Sequence, residues 1–230
     1  IKKGDYVMII TSQGFGHFVD GINNQDFGIE SSRAIVILDG CSGAKYSEVG
    51  TKLFAQLLER KEDWDNVEKF EDNVEETFNN IIQMLRPYYT DEKLENFIMD
   101  NLLFTIIALF QDEEKFIVKI FGDGYVVSQN KKRRISYMKF YYGKCPPYYA
   151  YRFCRSCSQF LDHDFKTLHF SKKSFSNIGI ATDGIVPVVT GLAKIEDEDV
   201  IKCDKLLKMQ IEELHKSFYD DVTIGAFVNG

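Results

Sequence analysis

Four acidic stretches lie far apart in this 230-residue chain, and each sits against an apolar, β-branched run. They are NQD ending at Asp26, VILDG at Asp39 and Gly40, IATDG at Asp183 and Gly184, and YDDVT at Asp220 and Asp221. Such runs read as strands, so the carboxylates fall at strand ends and can converge in only one place. A carboxylate at the end of a buried strand is costly unless its charge is compensated, and several together repel one another. Cations answer both problems. Aspartates with backbone carbonyls and water, lacking His and Cys, favour hard ions such as Mg²⁺ or Mn²⁺ over zinc or copper. The usual work of such ions is phosphate chemistry.

The strand pattern extends along the chain. Asp5 to Thr11 and Arg33 to Asp39 read as central strands, and the Gly- and Asn-rich segment between them as a loop presenting polar side chains to a site. Ser47 is expected to cap a helix carrying Val49, Leu53, Phe54, Leu57 and Leu58 at helical spacing. A second amphipathic helix is predicted from about Val67 to Leu85, with further helical pattern near Lys93 to Ile98. Leu102 to Phe110, Lys115 to Phe121 and Tyr125 to Gln129 read as strands, the last two joined by a hairpin turn with Asp123 at its tip. Tyr137 to Phe160, crowded with Tyr and Phe and broken by Pro146 and Pro147, follows no clean period and reads as an irregular insert or flap. Asn177 to Thr182 and Val222 to Val228 complete the strands, with a helix over Leu206 to Phe218 between them. Strands adjacent in sequence favour an antiparallel layered sandwich over a doubly wound parallel sheet.

Composition narrows the function classes. With 44% hydrophobic and 27% charged residues, the chain has ordinary globular values and the length for one domain spanning 1–230, with the flap insert at about 137–170. A net charge of −7 argues against a general nucleic-acid binder, which needs excess Lys and Arg. The one basic run, Lys131 to Arg134, reads as a solvated turn. No membrane span or signal-peptide core is evident, so a cytoplasmic protein is expected. The chain opens on Ile1 rather than Met, which suggests that it was trimmed or belongs to a longer polypeptide. Five unevenly spread cysteines, Cys41, Cys145, Cys154, Cys157 and Cys203, read as reduced thiols. Cys154 and Cys157 form a C-x-x-C from which a zinc clip with Cys145 and His163 can be imagined, but the spacing is irregular and no second C-x-x-C exists.

Taken in order, these motifs resemble the metal-dependent, type 2C, serine/threonine protein phosphatases, and more closely their bacterial branch. A G-x-x-H followed by G-x-x-x-Q-D is matched by Gly14, His17, Gly21, Gln25 and Asp26. A strand leading to D-G and then S-E-V-G is matched by Asp39, Gly40, Ser47, Glu48, Val49 and Gly50. Gly122, Asp123 and Gly124, then Thr182, Asp183 and Gly184, then Asp220, Asp221, Val222 and Thr223 follow the remaining motifs. The resemblance implies an α+β fold, a four-layer α-β-β-α sandwich of two mainly antiparallel sheets, with two Mg or Mn ions in the cleft between them. It implies that Asp39 bridges both metals, that the Gly40 carbonyl ligates one, and that Asp183 and Asp220 ligate the other. Asp26 would orient metal-bound water, and Asp123 with Asp183 would match a weaker third-ion site. The implied reaction is hydrolysis of phosphoserine or phosphothreonine in proteins by a water bridging the two ions, without a phosphoenzyme. A phosphorylated protein substrate, a cognate Ser/Thr kinase and a monomeric state are expected with it.

Three positions depart from the family pattern. The phosphate-gripping Arg of many relatives, five residues before Asp26, is Gly21, so His17 is expected to help instead. The His that follows D-G in many relatives and protonates the leaving oxygen is Cys41, and the later Asp of the third-ion site is Pro187. Simpler readings stand beside these: Asp39, Asp123 and Asp183 as turn residues, and His17 as a hydrogen-bonded loop histidine. Two other functions are compatible with the same residues, a catalytically weak pseudophosphatase or phospho-sensor and a phosphatase for small metabolites. The aromatic insert, with Tyr141, Tyr142, Tyr148, Tyr149 and Tyr151, reads either as a protein-recognition surface or as a second small core.

Overall fold

A computed structural model describes residues 6–132, 134–140, 145–160, 163–186 and 218–228. Among the described residues, ten strands form two five-stranded antiparallel sheets. The first contains β1 (Tyr6–Ser12), β6 (Gly124–Asn130), β7 (Ile135–Phe140), β9 (Phe175–Ala181) and β10 (Val222–Val228), in the order β1-β10-β9-β6-β7. The second contains β2 (Phe27–Glu30), β3 (Ala34–Gly40), β4 (Phe104–Gln111), β5 (Lys115–Phe121) and β8 (Lys166–Ser171), in the order β2-β3-β4-β5-β8. Among the described residues, four α-helices, α1 (Phe15–Asp20), α2 (Ser47–Glu59), α3 (Phe70–Leu85) and α4 (Asp91–Asn101), accompany the sheets in an α+β fold. The helix predicted over 206–218 lies outside the described residues except for Phe218, which is buried and not helical, and Pro187, Cys203, Tyr141 and Tyr142 also lie outside them.

Side-chain alternation along the strands assigns their core residues to layers. In β3, Ala34, Val36 and Leu38 face the helices, while Ile35 and Ile37 face the opposite sheet. Ile107 and Leu109 of β4, Val118 and Ile120 of β5, Val126 of β6, Ile178 and Ile180 of β9 and Phe227 of β10 fill the same space between the sheets. A strand buried on both faces reads as a near-continuous apolar run, which is why RAIVILD and LLFTIIALF carry no polar alternation. On the outer face of the second sheet, α2 and α3 contribute Phe54, Leu58, Phe70, Val74 and Phe78. The outer face of the first sheet carries its own apolar cluster, with Met8, Ile10, Val127, Phe218 and Ile224.

Several local expectations are corrected. The segment FGDG is not a hairpin: β5 and β6 belong to different sheets, and Gly122, Asp123 and Gly124 carry the chain across. Both glycines have positive φ, 112° and 133°, and a Cβ on Gly124 would stand 2.3 Å from Ile107 Cδ1, so the crossing tolerates no side chain there. The loop expected between the first two central strands contains α1 and β2. Ser47 is the first helical residue of α2 rather than its cap, and its hydroxyl donates to the Cys41 carbonyl at 3.1 Å.

The aromatic segment is more regular than expected. It begins in β7, ends in β8, and between them forms two short 3₁₀ turns, Tyr149–Phe153 and Arg155–Phe160. Tyr148, Tyr149 and Tyr151 are buried in the core beneath the helices, with Tyr149 stacked on Phe78 at 5.1 Å. Those three tyrosines therefore pack as core and not as an exposed recognition surface. Lys131 and Lys132 are exposed in the β6–β7 turn, as the sequence predicts, where Asn130 Oδ1 accepts from Lys132 N at 2.9 Å.

Candidate metal centre at one end of the sheet interface

The alternation that builds the core also aims the carboxylates. Asp39 continues the Ile35 and Ile37 row of β3, which places it at the end of the space between the sheets, opposite Thr105 of β4. Thr182 continues the Ile178 and Ile180 row of β9, and Asp183 follows it in a single 3₁₀ turn, Asp183–Ile185. Asp123 lies at the crossing between β5 and β6, and Asp220 and Asp221 immediately precede β10. Asp26 is the residue before β2. Both sheets thus deliver acidic groups to one edge of the sandwich.

These carboxylates feel one another. Burial holds Asp39 well above the ordinary carboxylate range, and the charges of Asp26, Asp183, Asp123 and Asp220 push it further. Burial does the same to Asp26, opposed by the hydrogen bond from Thr182. Asp123 is pushed up to about 6 by burial and then by Asp183. Burial raises Asp183, with Asp220 adding to the shift, while the Lys139 ammonium of β7 pulls the other way. Asp220 is also raised by burial, against hydrogen bonding from the Asp221 backbone and the proximity of His17. Five acidic groups driven toward protonation by burial and mutual repulsion form a site short of positive charge.

Asp26 is fixed by a ladder of hydroxyls. Thr182 Oγ1 donates to Asp26 Oδ2 at 2.9 Å and accepts from Thr223 N at 2.9 Å, while Thr223 Oγ1 donates to Thr11 Oγ1 at 2.8 Å. Its own N–H donates to Asn24 Oδ1 at 2.9 Å. Gly40 sits under the same segment: a Cβ there would fall 2.7 Å from the Gln25 carbonyl oxygen and 2.8 Å from Ser47 Oγ. Glycine is therefore required where the chain after Asp39 passes the segment before Asp26.

Asp221 holds the other side. Its Oδ1 accepts from Gly14 N at 2.8 Å and its Oδ2 from Gln25 N at 2.6 Å, two buried bonds that tie residues 14 and 25 to the start of β10. His17 Nδ1 stands 2.9 Å from the same Oδ2 without the alignment of a hydrogen bond, and Nε2 is 3.6 Å from Asp220 Oδ1. His17 is a buried residue of α1 and not a loop histidine. Gly21, where many relatives place Arg, is the exposed left-handed cap of α1, φ 69°.

The expected residues Asp26, Asp39, Gly40, Asp123, Asp183, Asp220 and His17 thus gather at one edge of the sandwich. Two contributors were missed. Asp221 was visible only as the second acid of a pair, and Lys139 sits in the segment read as irregular, with no local pattern to single it out. The zinc clip finds no support from position: Cys154 and Cys157 are buried and Cys145 exposed, and burial pushes the Cys154 thiol up to about 12. Among the described residues, the one group whose ligand atoms all lie within 4.8 Å is His17, Asp220 and Asp221.

A family profile described as Protein phosphatase 2C matches residues 13–218, nine-tenths of the chain. The chain belongs to the protein phosphatase 2C family. Its fold is also that of solved bacterial members. The serine/threonine phosphatase Stp1 from Staphylococcus aureus is 14% identical with a TM-score of 0.64, over 97% of this chain and 94% of that one. The Mycobacterium tuberculosis serine/threonine phosphatase PstP/Ppp is 13% identical with a TM-score of 0.63, over 98% and 99%. A structure of the PstP catalytic domain in complex with 2 manganese ions, 15% identical, has a TM-score of 0.63 over 98% and 99%. No curated protein sequence matched. In this protein phosphatase 2C chain, Asp39 and Gly40 end β3, and Thr182, Asp183 and Gly184 directly follow β9, at the carboxylate cluster.

The cluster fits divalent cations on its own terms. Asp26 Oδ1, Gln25 Oε1 and Thr105 Oγ1 are buried without hydrogen-bond partners among the described residues. Unpartnered buried oxygens beside carboxylates of raised pKa are the donor chemistry that hard cations complete.

Proposed function

We propose that this chain is a Mg²⁺- or Mn²⁺-dependent phosphatase acting on phosphoserine or phosphothreonine in proteins, opposing a Ser/Thr kinase as a cytoplasmic monomer. The observation that carries the reading is the convergence of Asp39, Asp123, Asp183 and Asp220 from both sheets, every one of them raised by burial and by its acidic neighbours. Asp39, the Gly40 carbonyl, Asp183 and Asp220 would hold two ions, and Asp123 with Asp183 a weaker third. Bound there, such ions supply a nucleophilic hydroxide near neutral pH and neutralise charge on the transferring phosphoryl group.

The chain's own residues do the rest. Asp26, clamped on one oxygen by Thr182, keeps Oδ1 free to accept a proton or hydrogen bond from the attacking water. Its raised pKa suits a group that takes up that proton. Lys139, close enough to draw Asp123 and Asp183 downward, contributes positive charge for the substrate phosphate in a chain that has Gly21 where relatives have Arg. Cys41 is a poor substitute for an acidic His, so the leaving oxygen must take its proton from elsewhere in the cluster.

Hydrolysis of an aryl phosphate and of a phosphothreonine peptide, measured with EDTA, Mg²⁺ or Mn²⁺ for wild type and Asp39→Asn, tests this. Metal-restored turnover that disappears in the folded mutant supports the assignment, and full turnover in Asp39→Asn sinks it. A second reading, a phospho-sensor with a retained metal site, is favoured by the side-chain-free turn at Gly21 and by Cys41. It predicts Mn²⁺ binding without hydrolysis. Preference for small phosphoesters over phosphopeptides would instead point to a metabolite phosphatase.

A further inference from the structure

The His17, Asp220 and Asp221 group is directional. Nδ1 of His17 lies 2.9 Å from Asp221 Oδ2, and Nε2, the other ring nitrogen, lies 3.6 Å from Asp220 Oδ1. The second separation is too long for a hydrogen bond. It is, however, the spacing of two donors on one cation: ligand atoms each about 2.0–2.2 Å from an ion stand about 3–3.6 Å apart.

Neither partner is free to drift. His17 is only 7% exposed, on a helix pinned by Phe15 N donating to the Phe218 carbonyl at 2.7 Å. Asp221, 3% exposed, has both oxygens committed to Gly14 N and Gln25 N. A carboxylate beside one ring nitrogen, with the other nitrogen turned to the site, is close to the arrangement in which metal-binding histidines are held, and a small ring rotation would complete the Nδ1–H···Oδ2 bond that the structure leaves unaligned. We propose that His17 is a metal ligand through Nε2, sharing an ion with Asp220, and that Asp221 is its positioning residue.

The proposal rests on the metal-dependent reading above and departs from an Asp-only donor set. One imidazole among the oxygens shifts preference toward Mn²⁺ over Mg²⁺, because nitrogen donors suit transition ions. It also means that His17 does not replace the missing Arg, since the nitrogen that would meet a phosphate is used.

The test uses the 230-residue chain loaded with Mn²⁺ alone. Pulsed EPR should show ¹⁴N modulation from a coordinated imidazole, converting to the ¹⁵N pattern on histidine labelling and vanishing in His17→Gln. Calorimetric titration should show His17→Gln losing about 10–100-fold in Mn²⁺ affinity, with a smaller loss for Mg²⁺. Asp221→Asn should lose about 10–100-fold while keeping the nitrogen signal. Labelled wild type alone decides the ligand even if a variant folds poorly. Mn²⁺ bound without nitrogen modulation, in a chain where Asp39→Asn abolishes binding, overturns the His17 assignment and leaves the phosphatase reading standing. Modulation that survives His17→Gln also overturns it. Mn²⁺ binding indifferent to both Asp39→Asn and His17→Gln overturns both.

Discussion

The carboxylate cluster makes the metal-free chain less stable at neutral pH than at mildly acid pH, against the usual trend. Asp26, Asp39, Asp123, Asp183 and Asp220 all have folded pKa values above their unfolded ones. A group of this kind contributes stability that is complete below its unfolded pKa and is lost as pH rises through the folded value. For Asp123 that window runs from 3.8 to about 6. A shift of about 2 units corresponds to at most about 3 kcal/mol, and because Asp123 is only half-buried, solvent screening reduces this to about 1–2 kcal/mol. The other four shift in the same direction, so a total loss of about 2 kcal/mol or more is expected between pH 4.5 and 7.5 in EDTA. In a chain of this size that lowers Tm by about 4–8 °C. Mn²⁺ at 100 times its Kd restores about 2.7 kcal/mol. Asp39→Asn, which removes the carboxylate with the most acidic neighbours, should flatten the EDTA profile only in part, because Asp123 owes its shift to burial and Asp183, and should abolish the Mn²⁺ shift. Scanning calorimetry across this range decides the matter. A wild-type Tm that climbs steadily from pH 4.5 to 7.5 in EDTA, or an equal Mn²⁺ shift in Asp39→Asn, refutes the account.

Two further perturbations separate site from scaffold. Thr182→Val removes the donor to Asp26 and the acceptor for Thr223 N, both buried, and should cost about 1–3 kcal/mol by urea titration together with a fall in kcat. Phe78→Ala, fully buried against Phe54, Phe104 and Tyr149, should cost about 3–5 kcal/mol while leaving Mn²⁺ affinity per folded molecule unchanged.

Strong local periodicity made most elements legible in advance. The α3 stripe of Phe70, Val74, Phe78, Ile81 and Ile82 is the predicted face, and the runs over Lys115 to Phe121 and Val222 to Val228 are strands to the residue. Legibility failed where a local signal had two tertiary outcomes. Phe121 to Gly124 has the composition of a hairpin turn, yet it joins two sheets, because the same flexible Gly-Asp-Gly serves both geometries. The aromatic segment has no period, since its tyrosines meet α3 and β5 from 3₁₀ turns and not from a repeating element.

By itself the sequence determined which residues are acidic at strand ends, and the physics of buried charge made a cation site the consistent outcome. It also determined which runs are central strands, since a strand buried on both faces must be apolar throughout. Only the tertiary structure decided the use of Asp221 and His17. A carboxylate whose oxygens are taken by Gly14 N and Gln25 N, and a histidine lying between it and Asp220, depend on bringing residues about two hundred positions apart into contact. No local pattern encodes that meeting, because hydrogen-bond partners across a sheet interface are selected by how the two layers close on each other.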